Sequence, residues 1–190
     1  MFTYAILHNL PKIPDRFINQ ALEIADRYQL DQGVEESDYS YKNRMLVKDG
    51  MFYTTTYRSK FPLPELQDWV TKHIHPDGFD SDVSITSAKR GQFHGPHTDK
   101  TRRYALLYNI SSGGDCAETV FYREPAKPLV LQQPLATALD LDQLEIIERV
   151  SLPLRQWVIL NSLVLHGVEN LSTDRISFQV GINENIWFQS

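Results

Sequence analysis

Two imidazoles and a carboxylate stand where one ion could gather them: His97 and Asp99 in the tripeptide His97-Thr98-Asp99, and His166 far along the chain. Side chains two apart on a strand or strand end share a side. His97 and Asp99 therefore reach a common point, and His166 must arrive from a different strand. Two histidines and one carboxylate form the facial triad that binds iron(II) and leaves three positions open to other ligands. Arg175 and Ser177 are also two apart. On a strand the guanidinium and the hydroxyl point the same way, and a planar cation beside a hydroxyl is a receptor for a carboxylate. The chemistry these residues suit is metal-assisted oxidation in which an organic acid takes part.

Other histidines compete for these roles. His94 precedes His97 in residues 94–97 (HGPH), but position 96 is proline, so no carboxylate follows His94 at the same spacing. It is either a group beside the metal or substrate, or a surface histidine. His73 and His75 fall at the end of an expected helix before Pro76 and read as structural or solvated. His8 has no partner pattern and receives no role.

The elements that must position these groups change character along the chain. Residues 2–10 read as an opening strand. Pro14 suits a first helical turn, and Phe17, Ile18, Ala21, Leu22, Ala25 and Tyr28 follow at helical spacing. A second helix is expected over 64–74, with Leu66, Trp69, Val70, His73 and Ile74 on one stripe. Residues 31–50 are polar and read as loop, and 51–57 (MFYTTTY) as a strand. From residue 82 the chain reads as short strands at 82–88, 103–111, 118–123, 135–139, 144–150, 155–161, 164–168 and 175–182. The turns between them carry Gly113-Gly114, several prolines and Ser172-Thr173-Asp174. In the last strand Arg175, Ser177, Gln179 and Gly181 alternate with Ile176, Phe178, Val180 and Ile182. A polar face lining a site and an apolar face covered by helices account for that pattern. The expected fold is mainly β with supporting helices: a double-stranded β-helix, the jelly roll of cupin-like proteins, with the N-terminal helices on one sheet. Residues 1–190 are expected to form one domain, with 1–80 as helical support and substrate-side region and 81–185 as the β-helix core.

Composition bounds the alternatives. The chain has 190 residues, 42% hydrophobic and 23% charged, which suits one globular core. Its formal net charge of −5 argues against a nucleic-acid partner. Cys116 is the single cysteine, so no intrachain disulfide can form, and a reducing compartment is expected. The N-terminus lacks the basic and apolar regions of a signal peptide, and no stretch approaches the ~20 apolar residues of a membrane span. The expectation is a cytoplasmic protein with no membrane partner. Lys89, Arg90, Lys100, Arg102 and Arg103 bracket the metal-type residues. They form either a rim that steers an acidic substrate or a solvated face. The aromatic residues around Tyr39, Tyr41 and 51–57 belong either to a substrate-side loop or to the core.

Residues 92–99 (QFHGPHTD), 103–110 (RYALLYNI), Gly113-Gly114 with 118–122 (ETVFY), 165–168 (LHGV) and 175–177 (RIS) together resemble the Fe(II)/2-oxoglutarate-dependent oxygenases. The likeness is to the prolyl-hydroxylase-like branch and covers roughly residues 80–185. The resemblance implies that His97, Asp99 and His166 bind Fe(II), and that Arg175 pairs with the distal carboxylate of 2-oxoglutarate with Ser177 as a second donor. It also implies a tyrosine on the strand after the His-x-Asp as a further contact, Tyr108 first and Tyr104 in reserve; aromatic core packing is the competing role for both. The implied activity is a dioxygenase that uses 2-oxoglutarate and dioxygen to hydroxylate an unactivated C–H bond, first of a prolyl or other residue in a peptide or protein. A free amino acid or small metabolite is the alternative substrate, and a non-catalytic cupin-like binding module is the alternative of another class. The carboxylate at Asp99 favours hydroxylation over halogenation. Gly181, where nucleic-acid demethylases of the superfamily carry a second arginine, argues against that substrate.

Overall fold

The alternation in residues 175–182 survives folding and organises the molecule. The structure is a computed structural model that describes residues 2–27, 44–49, 51–53, 59–75, 79, 83–91, 94–99, 102–124, 129–131, 136–184 and 187. In chain order the elements are β1 (Tyr4–Leu7), α1 (Asp15–Arg27), β2 (Arg44–Lys48), β3 (Met51–Tyr53), β4 (Ser59–Pro62), α2 (Pro64–His73), β5 (Ser84–Ala88), β6 (His94–His97), β7 (Tyr104–Ser112), β8 (Glu118–Arg123), β9 (Leu129–Leu131), β10 (Ala136–Asp140), a 3-10 turn (Leu141–Gln143), β11 (Glu145–Val150), β12 (Trp157–Asn161), β13 (Leu165–Glu169) and β14 (Arg175–Ile182). Six strands form an antiparallel sheet in the order β1-β12-β7-β14-β5-β4, and four form a second antiparallel sheet, β11-β8-β13-β6. A third sheet, β3-β2-β10-β9, includes a parallel pairing of β2 with β10.

Within the six-stranded sheet β7 and β12 are apolar on both faces, which is why they read as nearly continuous hydrophobic runs, whereas β14 turns Arg175, Ser177 and Gln179 to one face. On one face Leu106, Tyr108, Trp157, Ile159, Ile176, Phe178, Val180 and Ile182 pack against Phe17, Ile18, Ala21 and Ala25 of α1 and Leu66 and Val70 of α2. On the other face Ala105, Leu107, Val158 and Leu160 meet Phe121 of the four-stranded sheet. Burying one such Leu or Ile contributes roughly 1.5–3 kcal/mol. This two-layer burial supplies the rigid floor beneath the site.

Both helices form where helical spacing places them, and α1 carries Asp15 in its first turn, where an acidic side chain complements the helix dipole. Leu22, expected on the buried stripe, is 40% exposed, because the stripe runs through Phe17, Ile18, Ala21 and Ala25. The stretch expected as loop over 31–50 contains β2, a short apolar run between Arg44 and Lys48 that pairs in parallel with the distant β10. Residues 31–43, with Tyr39 and Tyr41, lie outside the described residues, as do 54–58. Strands β4, β6 and β9 also form beyond the expected set. β6 carries Gly95 and Pro96, poor strand formers, which its place at the edge of the sheet tolerates; among the described residues it pairs with β13 alone. None of the described helices is long and apolar enough to cross a membrane.

Candidate metal centre

His97 ends β6 and His166 lies on β13, and the antiparallel pairing of these strands puts the two directly opposite one another. Their ring centroids are 4.5 Å apart. The strands approach closely because residue 167 is glycine: a Cβ there would lie 2.7 Å from the carbonyl oxygen of His94. Asp99 follows in the segment after β6. Its backbone N–H donates to Ser162 O at 3.0 Å, and Ser162 N–H donates to Arg103 O at 2.9 Å, so this segment is sewn to the turn before β13. The metal-type atoms of His97, Asp99 and His166 then lie within 4.8 Å of one another.

The imidazoles are oriented for ligation. Nδ1 of His97 is 2.9 Å from Gly95 O and Nδ1 of His166 is 2.8 Å from Val164 O. A carbonyl accepts only, so Nδ1 of each ring carries a hydrogen and Nε2 is the nitrogen turned toward the cluster for a metal, the arrangement typical of metal-binding histidines. Burial opposes the charge on Asp99. The Arg102 guanidinium and the two imidazoles outweigh it and hold the carboxyl well below the usual carboxylate range. An ionised carboxylate beside two imidazoles fits a divalent cation.

A pocket opens beside this cluster, lined by His94, His166, Arg102, Arg175, Gln179 and Thr119, with apolar walls from Ala105, Leu107, Leu160 and Val168. Arg175 starts β14, is 6% exposed, and donates from both terminal nitrogens to the hydroxyl of Thr119 on β8, at 3.3 and 3.2 Å. Ser177 is buried on the same strand, and its hydroxyl bonds that of Thr86 at 2.7 Å. His94 is buried, lines the pocket and meets the His97 ring edge-on at 4.3 Å, which removes the surface alternative for it. His73 stacks on Trp69, and His75 packs among Phe79 and Trp187, away from the metal-type cluster.

The expectation for Tyr108, with Tyr104 in reserve, is corrected. Both project from the helix-facing side of β7, opposite to Ala105 and Leu107, which line the pocket. Tyr108 is 1% exposed against Trp157 and Phe178, and burial pushes its hydroxyl pKa up. Tyr104 stacks on Phe2. Period-two alternation grouped the two tyrosines correctly but could not say which face held the pocket. Thr119 was missed, since a threonine inside ETVFY has no distinguishing signal. Gln179 and Arg102 were noted only as a polar-face residue and a rim charge. The structure places both inside the pocket.

No protein-family model matches the sequence, and no curated protein matches it. Solved structures do resemble it. AviO1 from Streptomyces viridochromogenes Tue57 is 14% identical, over 99% of this chain and 92% of that one, with a TM-score of 0.50. The E. coli protein ycfD is 15% identical over 97% of this chain, with a TM-score of 0.47. This chain spans 50% of the length of ycfD. A Pseudomonas putida prolyl-4-hydroxylase is 12% identical, over 96% of this chain and 93% of that one, with a TM-score of 0.44. The likeness to AviO1 is one of fold. Fold and site together define a mainly β protein with a buried His–Asp–His cluster suited to a metal ion.

Proposed function

We propose that the chain is an Fe(II)- and 2-oxoglutarate-dependent dioxygenase. The observation that carries this is the convergence of His97, Asp99 and His166 beside a pocket whose lining includes the buried guanidinium of Arg175. In this reading the six- and four-stranded sheets are the two halves of a double-stranded β-helix, and the described elements act as one catalytic unit. His97 and His166 offer Nε2, and Asp99 offers its carboxylate. Bound iron with 2-oxoglutarate and dioxygen would supply the oxidising power for hydroxylating an unactivated C–H bond.

The protein's own residues orient and enclose. Arg175, steadied by Thr119, receives the distal carboxylate of 2-oxoglutarate in a charge-assisted pair. Ser177, two residues on along β14 and held by the Thr86 hydroxyl, is the proposed second donor to that carboxylate. Ala105, Leu107, Leu160 and Val168 keep the walls apolar, which limits water near the reacting groups. The substrate we propose is a prolyl or other residue of a peptide or protein, supported by the likeness of residues 92–99 and 103–110 to the prolyl-hydroxylase-like branch.

The test is anaerobic titration of the purified chain with Fe(II) and 2-oxoglutarate, followed by visible absorption. The expected result is a weak charge-transfer band that needs both components and is lost in Asp99→Ala. A folded protein that develops no band would overturn the proposal and favour a non-catalytic binding module.

A further inference from the structure

Arg102 is engaged through all three of its guanidinium nitrogens. Nε donates to Oδ2 of Asp99 at 2.5 Å. Nη1 and Nη2 face the side-chain amide of Gln179, whose oxygen is assigned toward them because an amide NH2 could not accept from these donors. The Arg102 side chain is 11% exposed and that of Asp99 is 12%, and Gln179 on β14 is 2% exposed. A solvated steering cation would keep its fork in water. This one is planar, buried and fixed at both ends. The backbone around it is equally fixed: Arg103 N–H donates to Asn183 Oδ1 at 3.1 Å, and Arg103 O accepts from Ser162 N–H.

The two oxygens of Asp99 are thereby made different. Oδ2 is occupied by Arg102, whereas Oδ1 lies 3.8 Å from Nε2 of His97, on the side of the imidazoles. We propose that Arg102 is a positioning residue: by holding Oδ2 it restricts Asp99 to a single oxygen toward a metal ion, with Gln179 anchoring the fork to the strand that carries Arg175. The inference rests on the metal and 2-oxoglutarate assignment above and adds a reason why that site stays open to a chelating acid. A carboxylate free to use both oxygens would take one of the three open positions, leaving the acid only two that need not be the adjacent pair its chelate requires, and none for dioxygen. The clamp thus ties the geometry of the metal ligand to β14, four residues from the guanidinium proposed to bind the other end of the same acid.

The experiment measures binding without turnover. Mn(II) affinity is read from the paramagnetic resonance signal of the free ion, and 2-oxoglutarate affinity for the Mn(II)-loaded protein by calorimetry, under anaerobic conditions. In Arg102→Gln, Mn(II) binding should persist, weakened by no more than the ~10–100-fold typical on losing a group that orients a metal ligand, while 2-oxoglutarate binding to the Mn(II)-saturated protein weakens about tenfold or more. Arg102→Lys keeps the charge but cannot span Asp99 and Gln179 together, so it should not restore 2-oxoglutarate binding. Gln179→Met leaves Asp99 and Arg102 in place, releases only the far end of the fork, and should shift affinity in the same direction by less. It carries the test if Arg102→Gln does not fold, as judged by circular dichroism. Wild-type affinity in both Arg102→Gln and Gln179→Met, or full rescue by lysine, would overturn the clamp while leaving the metal assignment standing. A wild-type chain that binds no Mn(II), or binds Mn(II) but no 2-oxoglutarate, would overturn the underlying assignment and the clamp with it.

Discussion

At the scale of single residues, Arg175 is the sharpest point at which to probe the proposed co-substrate site. It is buried, it opens β14, and its terminal nitrogens converge on one hydroxyl, that of Thr119. Arg175→Ala should weaken 2-oxoglutarate binding by about 1.5–3 kcal/mol, the size of a hydrogen bond to a charged group. Metal affinity should change little, because Arg175 is not part of the His97–Asp99–His166 cluster. Thr119→Val removes only the hydroxyl that steadies the guanidinium and should give a smaller loss. The comparison is a pair of calorimetric titrations, one with metal and one with 2-oxoglutarate. A variant that loses metal and co-substrate equally would place Arg175 in a structural role instead.

At the scale of elements, the site depends on how closely β6 lies against β13. Their pairing sets His97 opposite His166 and contains an irregularity on the way to the Val168–His94 pair. Gly167 permits this approach, since a Cβ there would press on the backbone of His94, Gly95 and Pro96 at 2.7 to 3.3 Å. Backbone cannot swing aside as a flexible side chain can, so Gly167→Ala should push β6 outward and part the two imidazoles. The expected outcome is metal affinity reduced about tenfold or more in a protein that still folds, measured by Mn(II) titration alongside thermal melting. Unchanged metal affinity would mean that β6 has slack the geometry does not suggest.

At the scale of the whole molecule, the four-stranded sheet is laced on its outer side by a polar chain. Tyr122 on β8 donates to Glu169 on β13, and Arg149 on β11 donates to Glu169 and Glu118 at 2.8 and 3.1 Å. Burial, and then the Glu169 carboxylate, push the Tyr122 phenol well above its ordinary pKa. The folded state therefore holds the proton more tightly than the unfolded chain, whose tyrosines titrate near pH ~10. The resulting stabilisation is fully present below that pH and is lost as pH rises above it. Wild type should exceed Tyr122→Phe in urea-unfolding stability at pH 7, by about 1.5–3 kcal/mol for a hydrogen bond to a charged acceptor. The gap should close in alkaline solution. A gap that is constant with pH would show that the phenol's proton is not what Glu169 holds.

Much of this organisation is legible in local pattern. Alternation in residues 175–182 announced β14 and its two faces, and helical spacing announced α1 and α2, because burial on one side leaves a periodic trace. Residues 94–97 announced no strand: Gly95 and Pro96 oppose one, and only the partner β13, far along the chain, makes β6 form. The chemistry-bearing types, His97, Asp99, His166 and Arg175, are likewise visible by spacing. Their convergence is a matter of long-range strand register, which no local pattern encodes. The same holds for the face of β7: Tyr104 and Tyr108 must share one, but whether it meets helices or the pocket depends on which sheet closes over it. Sequence by itself determined the reactive groups and those elements that leave a periodic trace, though not β2, β4, β6 or β9, since propensity and periodicity act over a few residues. Tertiary structure alone decided that Arg102 clamps Asp99 to Gln179 and that Thr119 meets Arg175, since those contacts exist only once distant strands are side by side.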